Sequence, residues 1–152
     1  MTFCRMTSSR GVTTVVVADD DPAFRQALAA LLAEEDDFIL VAEVADGEQA
    51  VTATAEHRAS AVLVDARMPH GGADLVRALA SLDHRPAVVG LSGNADAATW
   101  TGMLRAGAAG YLLKTAVAGD LAVLLRRCMR GELIVTVPGA AEVLRRLLES
   151  AD

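Results

Sequence analysis

Short apolar runs alternate with longer stretches of helical period along the chain. The runs cover residues 13–18 (TTVVVA), 38–44, 61–64, 87–91 and 110–113, each dominated by Val, Leu, Ile or Ala. Continuous apolar runs of this length suit strands buried on both faces, as in a parallel sheet covered by helices. Between them, Phe24, Leu28, Leu31 and Leu32 keep a three-and-four spacing behind Pro22, which fits a first helical position with Asp21 as N-cap. Weaker helical patterns occupy residues 48–57, 73–82 and 95–106. A stronger one covers 117–130, with Leu121, Leu124, Leu125 and Cys128 on one face. Five strand–helix repeats predict an α/β doubly wound sheet joined by right-handed crossovers. Residues 133–137 form a further brief apolar run. Beyond Pro138, the segment 143–148 (VLRRLL) predicts a last amphipathic helix outside the five units.

Composition narrows the class. At 152 residues and 53% hydrophobic, the chain can bury the core of one ordinary domain. A net charge of −6 argues against this segment itself gripping nucleic acid or an anionic membrane. No apolar run approaches the roughly 18 residues of a membrane span. Residues 1–11 read as a disordered leader, with Met6 as a possible second start. Cys4 and Cys128 match neither a disulfide framework nor a zinc spacing, so a reducing, cytoplasmic setting is expected. His57, His70 and His84 show no ligand spacing and read as surface histidines.

In an open parallel sheet, ligands sit beyond the carboxyl ends of the strands. The first predicted strand is followed by Asp19, Asp20 and Asp21. The third ends at Asp65, the fourth at Ser92, and the fifth at Lys114, the only lysine among 14 basic residues. Singly these are ordinary turn, cap or surface residues; their shared rim is the signal. Two carboxylates about 4 Å apart repel by roughly 4 kcal/mol at an effective dielectric near 20. An oxygen-only acidic site of this kind suits Mg²⁺. With Lys114 and Ser92 alongside, it could receive a tetrahedral dianion, with Asp65 as nucleophile. A nucleotide-binding Gly-rich turn is excluded, because the first turn reads DDDP. Phosphohydrolases of the haloacid dehalogenase type carry a second Asp two residues after the nucleophile; Arg67 stands there. Rapid turnover of small substrates is not expected.

The segments VVVADDDPAFRQAL, AVLVDARMP, VVGLSG and GAAGYLLK together resemble the receiver domain of bacterial two-component response regulators over residues 12–132. The resemblance implies a flavodoxin-like fold of five strands in the order 2-1-3-4-5, with an extra C-terminal helix. It implies that Asp65 accepts a phosphoryl group from a sensor histidine kinase, and that Asp19, Asp20, Asp65 and the backbone carbonyl of Arg67 hold Mg²⁺. If the first strand ran one residue longer, the acidic pair would be Asp20 and Asp21; Pro22 favours Asp19 and Asp20. By the same resemblance Ser92 and Lys114 contact the phosphoryl group. Tyr111 occupies the aromatic switch position, turning inward as Ser92 moves. Arg67 and Asn94 flank the site, where the family tunes phosphoryl lifetime.

The acidic entry, GYLLK and the tail after RGE are similar to the NarL/LuxR-type branch. There the segment 133–152 would be an extension or linker helix, leading to a DNA-binding output domain that this chain lacks. The expected function is therefore a phospho-acceptor signalling domain rather than an enzyme, the regulatory part of a transcriptional regulator. It would contact DNA only through that output domain, with no membrane partner, and a homodimer is possible. The alternative is a stand-alone or phosphorylation-independent interaction module.

Overall fold

The computed structural model describes residues 11–94 and 96–150. The leader with Cys4 and Met6 lies outside them, apart from Gly11. Six parallel strands form one sheet: β1 (Thr13–Ala18), β2 (Phe38–Val44), β3 (Ala61–Asp65), β4 (Ala87–Ser92), β5 (Gly110–Leu113) and β6 (Ile134–Val135). Their order is β2-β1-β3-β4-β5-β6. The order of the first five matches expectation, whereas the expected five-strand total is short by one. Six helices complete the fold: α1 (Pro22–Ala33), α2 (Gly47–His57), α3 (Gly72–Ala80), α4 (Ala97–Arg105), α5 (Leu121–Met129) and α6 (Ala140–Ser150).

Strand alternation divides the core between the two faces of the sheet. Val16, Ala18, Val62, Val64, Val88 and Tyr111 point to one side, where α2, α3, α4 and α6 contribute Ala50, Leu75, Leu79, Trp100, Met103 and Ala140. Val15, Val17, Leu63, Val89, Leu91 and Leu112 point to the other, covered by Leu28 and Leu32 of α1 and Leu121, Leu125 and Cys128 of α5. Valine and leucine fill both faces of β1 and β3, which is why those strands read as continuous runs rather than alternating ones.

Local chemistry sets the helix ends. Asp21 is extended and its carboxylate accepts from the Ala23 N–H at 3.0 Å, with Pro22 opening α1. Asp46 caps α2 through the Gln49 N–H at 2.9 Å. The helix expected over 117–130 begins only at Leu121: residues Lys114–Ala116 turn as a 3₁₀ segment, and Gly119 lies in the turn before α5.

The sixth strand follows from a close approach. Ile134 and Val135 pair with Gly110 and Tyr111. A Cβ at Gly110 would lie 2.8 Å from the Ile134 carbonyl oxygen, so only glycine admits the strand there. Ile134, Val137 and Ala140 are buried in the two cores, on the far side of the expected boundary at residue 132. His84 also departs from expectation. Its side chain is 10% exposed, and its ring Nε2 lies 3.0 Å from the Ala59 carbonyl oxygen.

Candidate functional site

The carboxyl ends of β1, β3, β4 and β5 bring Asp19, Asp65, Ser92 and Lys114 to one rim, as the sequence places them. Asp19 is fully buried. Its N–H donates to the Val44 carbonyl at 3.0 Å, and its own carbonyl accepts from Arg25 Nη1 at 2.6 Å. Its Oδ1 accepts from the Asp21 N–H at 2.8 Å. That bond holds the three-aspartate turn in one register, with Asp21 spent on the cap of α1. Asp19, Asp20 and Asp65 each offer a carboxylate oxygen within 4.8 Å of the others. Asp20 is exposed, and Asp65 is 6% exposed. The carboxylates that cluster with Asp65 are those of Asp19 and Asp20.

Lys114 closes the cluster. Its Nζ lies 2.7 Å from Asp19 Oδ2 and 3.6 Å from Asp65 Oδ1. The shorter contact is a buried ion pair, and the Lys114 ammonium is the one partner of Asp19 Oδ2 among the described residues. Three carboxylates face one ammonium. Burial and the neighbouring Asp19 charge push the Asp65 carboxyl above its usual range, opposed by Lys114 and by the Arg67 backbone. Burial disfavours the Lys114 ammonium, but Asp19 and Asp65 outweigh it and hold its pKa above the ordinary value. A divalent cation would balance the two uncompensated negative charges. The donor set is oxygen only, its members lie within 4.8 Å of one another, and one ammonium does not balance them, so these residues fit Mg²⁺.

Ser92 is buried at the end of β4, and its Oγ accepts from the Asn94 N–H at 3.2 Å, tying the hydroxyl to its own loop. Asn94 Oδ1 in turn accepts from the Asp96 N–H at 3.1 Å. Arg67 is exposed in the turn after β3. Tyr111 is fully buried against the Met103 side of the sheet. Burial pushes its phenol up. The ring thus already lies inward, where the sequence reading has it turn inward as Ser92 moves. The Lys114–Thr115 bond is trans, like every peptide bond described.

Sequence reasoning passed over three contributors. Gly90 lies under Tyr111: a Cβ there would sit 2.9 Å from both Tyr111 Cδ1 and Met103 Cε. A glycine inside an apolar strand is a sign of such close approach. Gly47 packs against the loop after β3, donating its N–H to the Pro69 carbonyl at 2.9 Å. The His70 carbonyl fills the space its side chain would need. Thr136 accepts from the Leu113 N–H at 2.9 Å through its Oγ1, anchoring the residue before Lys114. No local pattern marks a bond between residues 23 positions apart.

An α/β sheet with an acidic triad, a hydroxyl and a lysine on one rim defines a phosphoryl-handling signalling module. Residues 15–126 match the model of the response regulator receiver domain, and the chain belongs to that family. It is 30% identical over 141 residues to the transcriptional regulatory protein LiaR of Bacillus subtilis, covering 91% of this chain and 66% of LiaR. It is 36% identical over 101 residues to the transcriptional regulatory protein DegU of Brevibacillus brevis, covering 66% of this chain and 43% of DegU. The solved receiver domain of NarL from Mycobacterium tuberculosis superposes with a TM-score of 0.76 at 30% identity, covering 80% of this chain and 99% of that one. These relatives lie in the NarL/LuxR branch. The chain spans between 43% and 66% of the length of DegU and LiaR.

Proposed function

We propose that this chain is a phosphorylation-driven switch in which Asp65 accepts a phosphoryl group from the phosphohistidine of a sensor histidine kinase. The observation that carries the reading is the placement of Asp65, nearly buried, within 3.6 Å of Lys114 and inside the carboxylate cluster with Asp19 and Asp20. An Asp65 oxygen attacks phosphorus as the P–N bond to the kinase imidazole breaks, leaving an acyl phosphate on Asp65 and a neutral imidazole once that nitrogen is protonated. Asp19, Asp20, Asp65 and the Arg67 carbonyl would hold Mg²⁺. The cation supplies charge neutralisation at the transferring phosphoryl oxygens. Lys114 exchanges its carboxylate partners for a phosphoryl oxygen, and Ser92 gives up the Asn94 N–H to donate its own hydrogen bond there. Tyr111 then reports the change through the β4–α4 loop.

LiaR and DegU are transcriptional regulators by name. We extend that role to the complete regulator of which this receiver would be the regulatory part, acting in the cytoplasm. It would reach DNA through an output domain rather than through this acidic segment. Among the described residues, no helix is long and apolar enough to cross a membrane.

The test is intact mass after incubation with acetyl phosphate, with and without Mg²⁺, alongside Asp65→Asn. One added phosphoryl group is expected, dependent on Mg²⁺ and absent from the variant. A folded wild-type protein that gains no mass would instead mark a receiver-shaped interaction module that works without phosphorylation.

A further inference from the structure

Lys114 is flanked on a second side by an aromatic ring that the reading above does not use. Its Nζ lies 4.4 Å from the centroid of Phe24, within the range of a cation–π contact. Phe24 is the third residue of α1, whose start is fixed by the Asp21 cap and by Pro22. The ring is half-buried and packed against the core beneath α1 and α5, so it is supported from behind. The Lys114 side chain, by contrast, is 21% exposed on a four-carbon stem with many rotamers. The two carboxylates hold the ammonium from one side, and the ring meets it from another.

We infer that Phe24 is a positioning residue for Lys114, holding the ammonium over the carboxylate cluster from which it meets the phosphoryl group. The inference rests on the proposed phosphoryl-acceptor role. The π face attracts the cation without offering it a hydrogen-bond acceptor, so it orients the ammonium without competing with the phosphoryl oxygens for its protons. The ring also covers one side of the ammonium against water, which strengthens its field at Asp65. A purely packing role for Phe24 predicts something different: a stability cost on substitution, with phosphorylation of the folded protein unaltered.

Because Lys114 is the only lysine, uniform ¹³C-lysine labelling of the full chain gives one lysine spin system. Its ε-methylene protons should be shifted upfield by the ring current of Phe24. Phe24→Leu should abolish that shift and slow phosphorylation by acetyl phosphate and Mg²⁺ by about fivefold. Phe24→Tyr, which keeps the π face, should retain the shift and restore most of the rate. In a Lys114→Gln background, Phe24→Leu should change the rate no further. An unshifted ε-methylene in the wild type overturns the inference. So does an equal rate in Phe24→Leu, or an undiminished Phe24→Leu effect in the Lys114→Gln background. A wild type that shows the ring-current shift but takes up no phosphoryl group overturns the phosphoryl-acceptor reading itself, and the positioning role with it.

Discussion

Tyr111 combines a large buried ring with a hydroxyl that finds no hydrogen-bond partner among the described residues. An unpaired buried hydroxyl costs about 1–3 kcal/mol. Tyr111→Phe should therefore leave stability unchanged or raise it by up to about 1 kcal/mol, read from the urea midpoint. A loss of 1 kcal/mol or more would show that the hydroxyl is satisfied, most simply by Ser92. The inward ring depends on the absence of a side chain at Gly90. Gly90→Ala places a methyl 2.9 Å from Tyr111 Cδ1 and Met103 Cε. Overpacking of this kind costs about 1–3 kcal/mol. Met103 Cε is the end of a flexible side chain and can yield, whereas the ring is held by the strand that carries it. The Gly90→Ala cost should shrink when Tyr111 is also alanine, so the two changes should be less than additive in chemical denaturation. Strict additivity would mean that Met103 alone bears the clash.

Between elements, one ion-pair network ties α5 to the turn ahead of β2. Arg126 donates from Nε and Nη2 to Asp37 at 2.8 Å each, and Nη2 also reaches Glu35, while its guanidinium lies 5.4 Å from the Phe38 ring centroid. The hydrogen bonds from Arg126 hold the Asp37 carboxyl below its ordinary value of 3.8. A depressed carboxyl pKa stabilises the fold fully above the unfolded value, and that contribution is lost as pH falls through the folded one. The network is more than a third exposed, so about 1 kcal/mol is its upper range. Arg126→Gln should accordingly lower the urea midpoint at pH 7 and cost progressively less as the pH is taken below 3.8 toward 3. An equal cost at both values would assign the effect to packing. Neither partner of this network is marked in the sequence, because 89 residues separate them. What is legible there is periodic or local. The apolar runs give β1 to β5, and the Asp21–Pro22 step gives the start of α1. Asp19, Asp65, Ser92 and Lys114 each sit one residue from, or at, a strand end, so the rim could be read from strand positions alone. Gly90 and Gly110 act through backbone approach across the sheet, and Phe24 through a contact between the first turn of α1 and the turn after β5 that only the fold creates.

For the molecule as a whole, residues 133–150 matter most, because they join the carboxylate rim to the last helix. Thr136 donates its N–H to the Tyr111 carbonyl at 3.1 Å, and its Oγ1 accepts from the Leu113 N–H at 2.9 Å. Two bonds from one residue thus bracket Tyr111 and the residue before Lys114. Beyond it, Val137 and Ala140 are buried with Trp100, Met103 and Tyr111, while most of α6 remains exposed. A chain ending at Glu132 would uncover the β5 edge and the apolar groups that Ile134, Val137 and Ala140 cover. Burial of two such aliphatic side chains is worth about 1.5–3 kcal/mol each, reduced by the entropy of ordering the segment. Truncation at Glu132 should cost a net of about 2–4 kcal/mol in urea denaturation and lower solubility through the exposed strand edge. Thr136→Val isolates the connection from the burial, since it keeps the shape and the backbone N–H but removes the acceptor for Leu113. It should cost about 1–2 kcal/mol by leaving the Leu113 N–H unpaired. If β5 carries the state of Lys114 to α6, hydrogen exchange in α6 should respond to acetyl phosphate and Mg²⁺ in the wild type and less in Thr136→Val. Exchange in α6 that responds equally in both proteins would route the signal through α4 and Tyr111 instead of through the β5–β6 ladder.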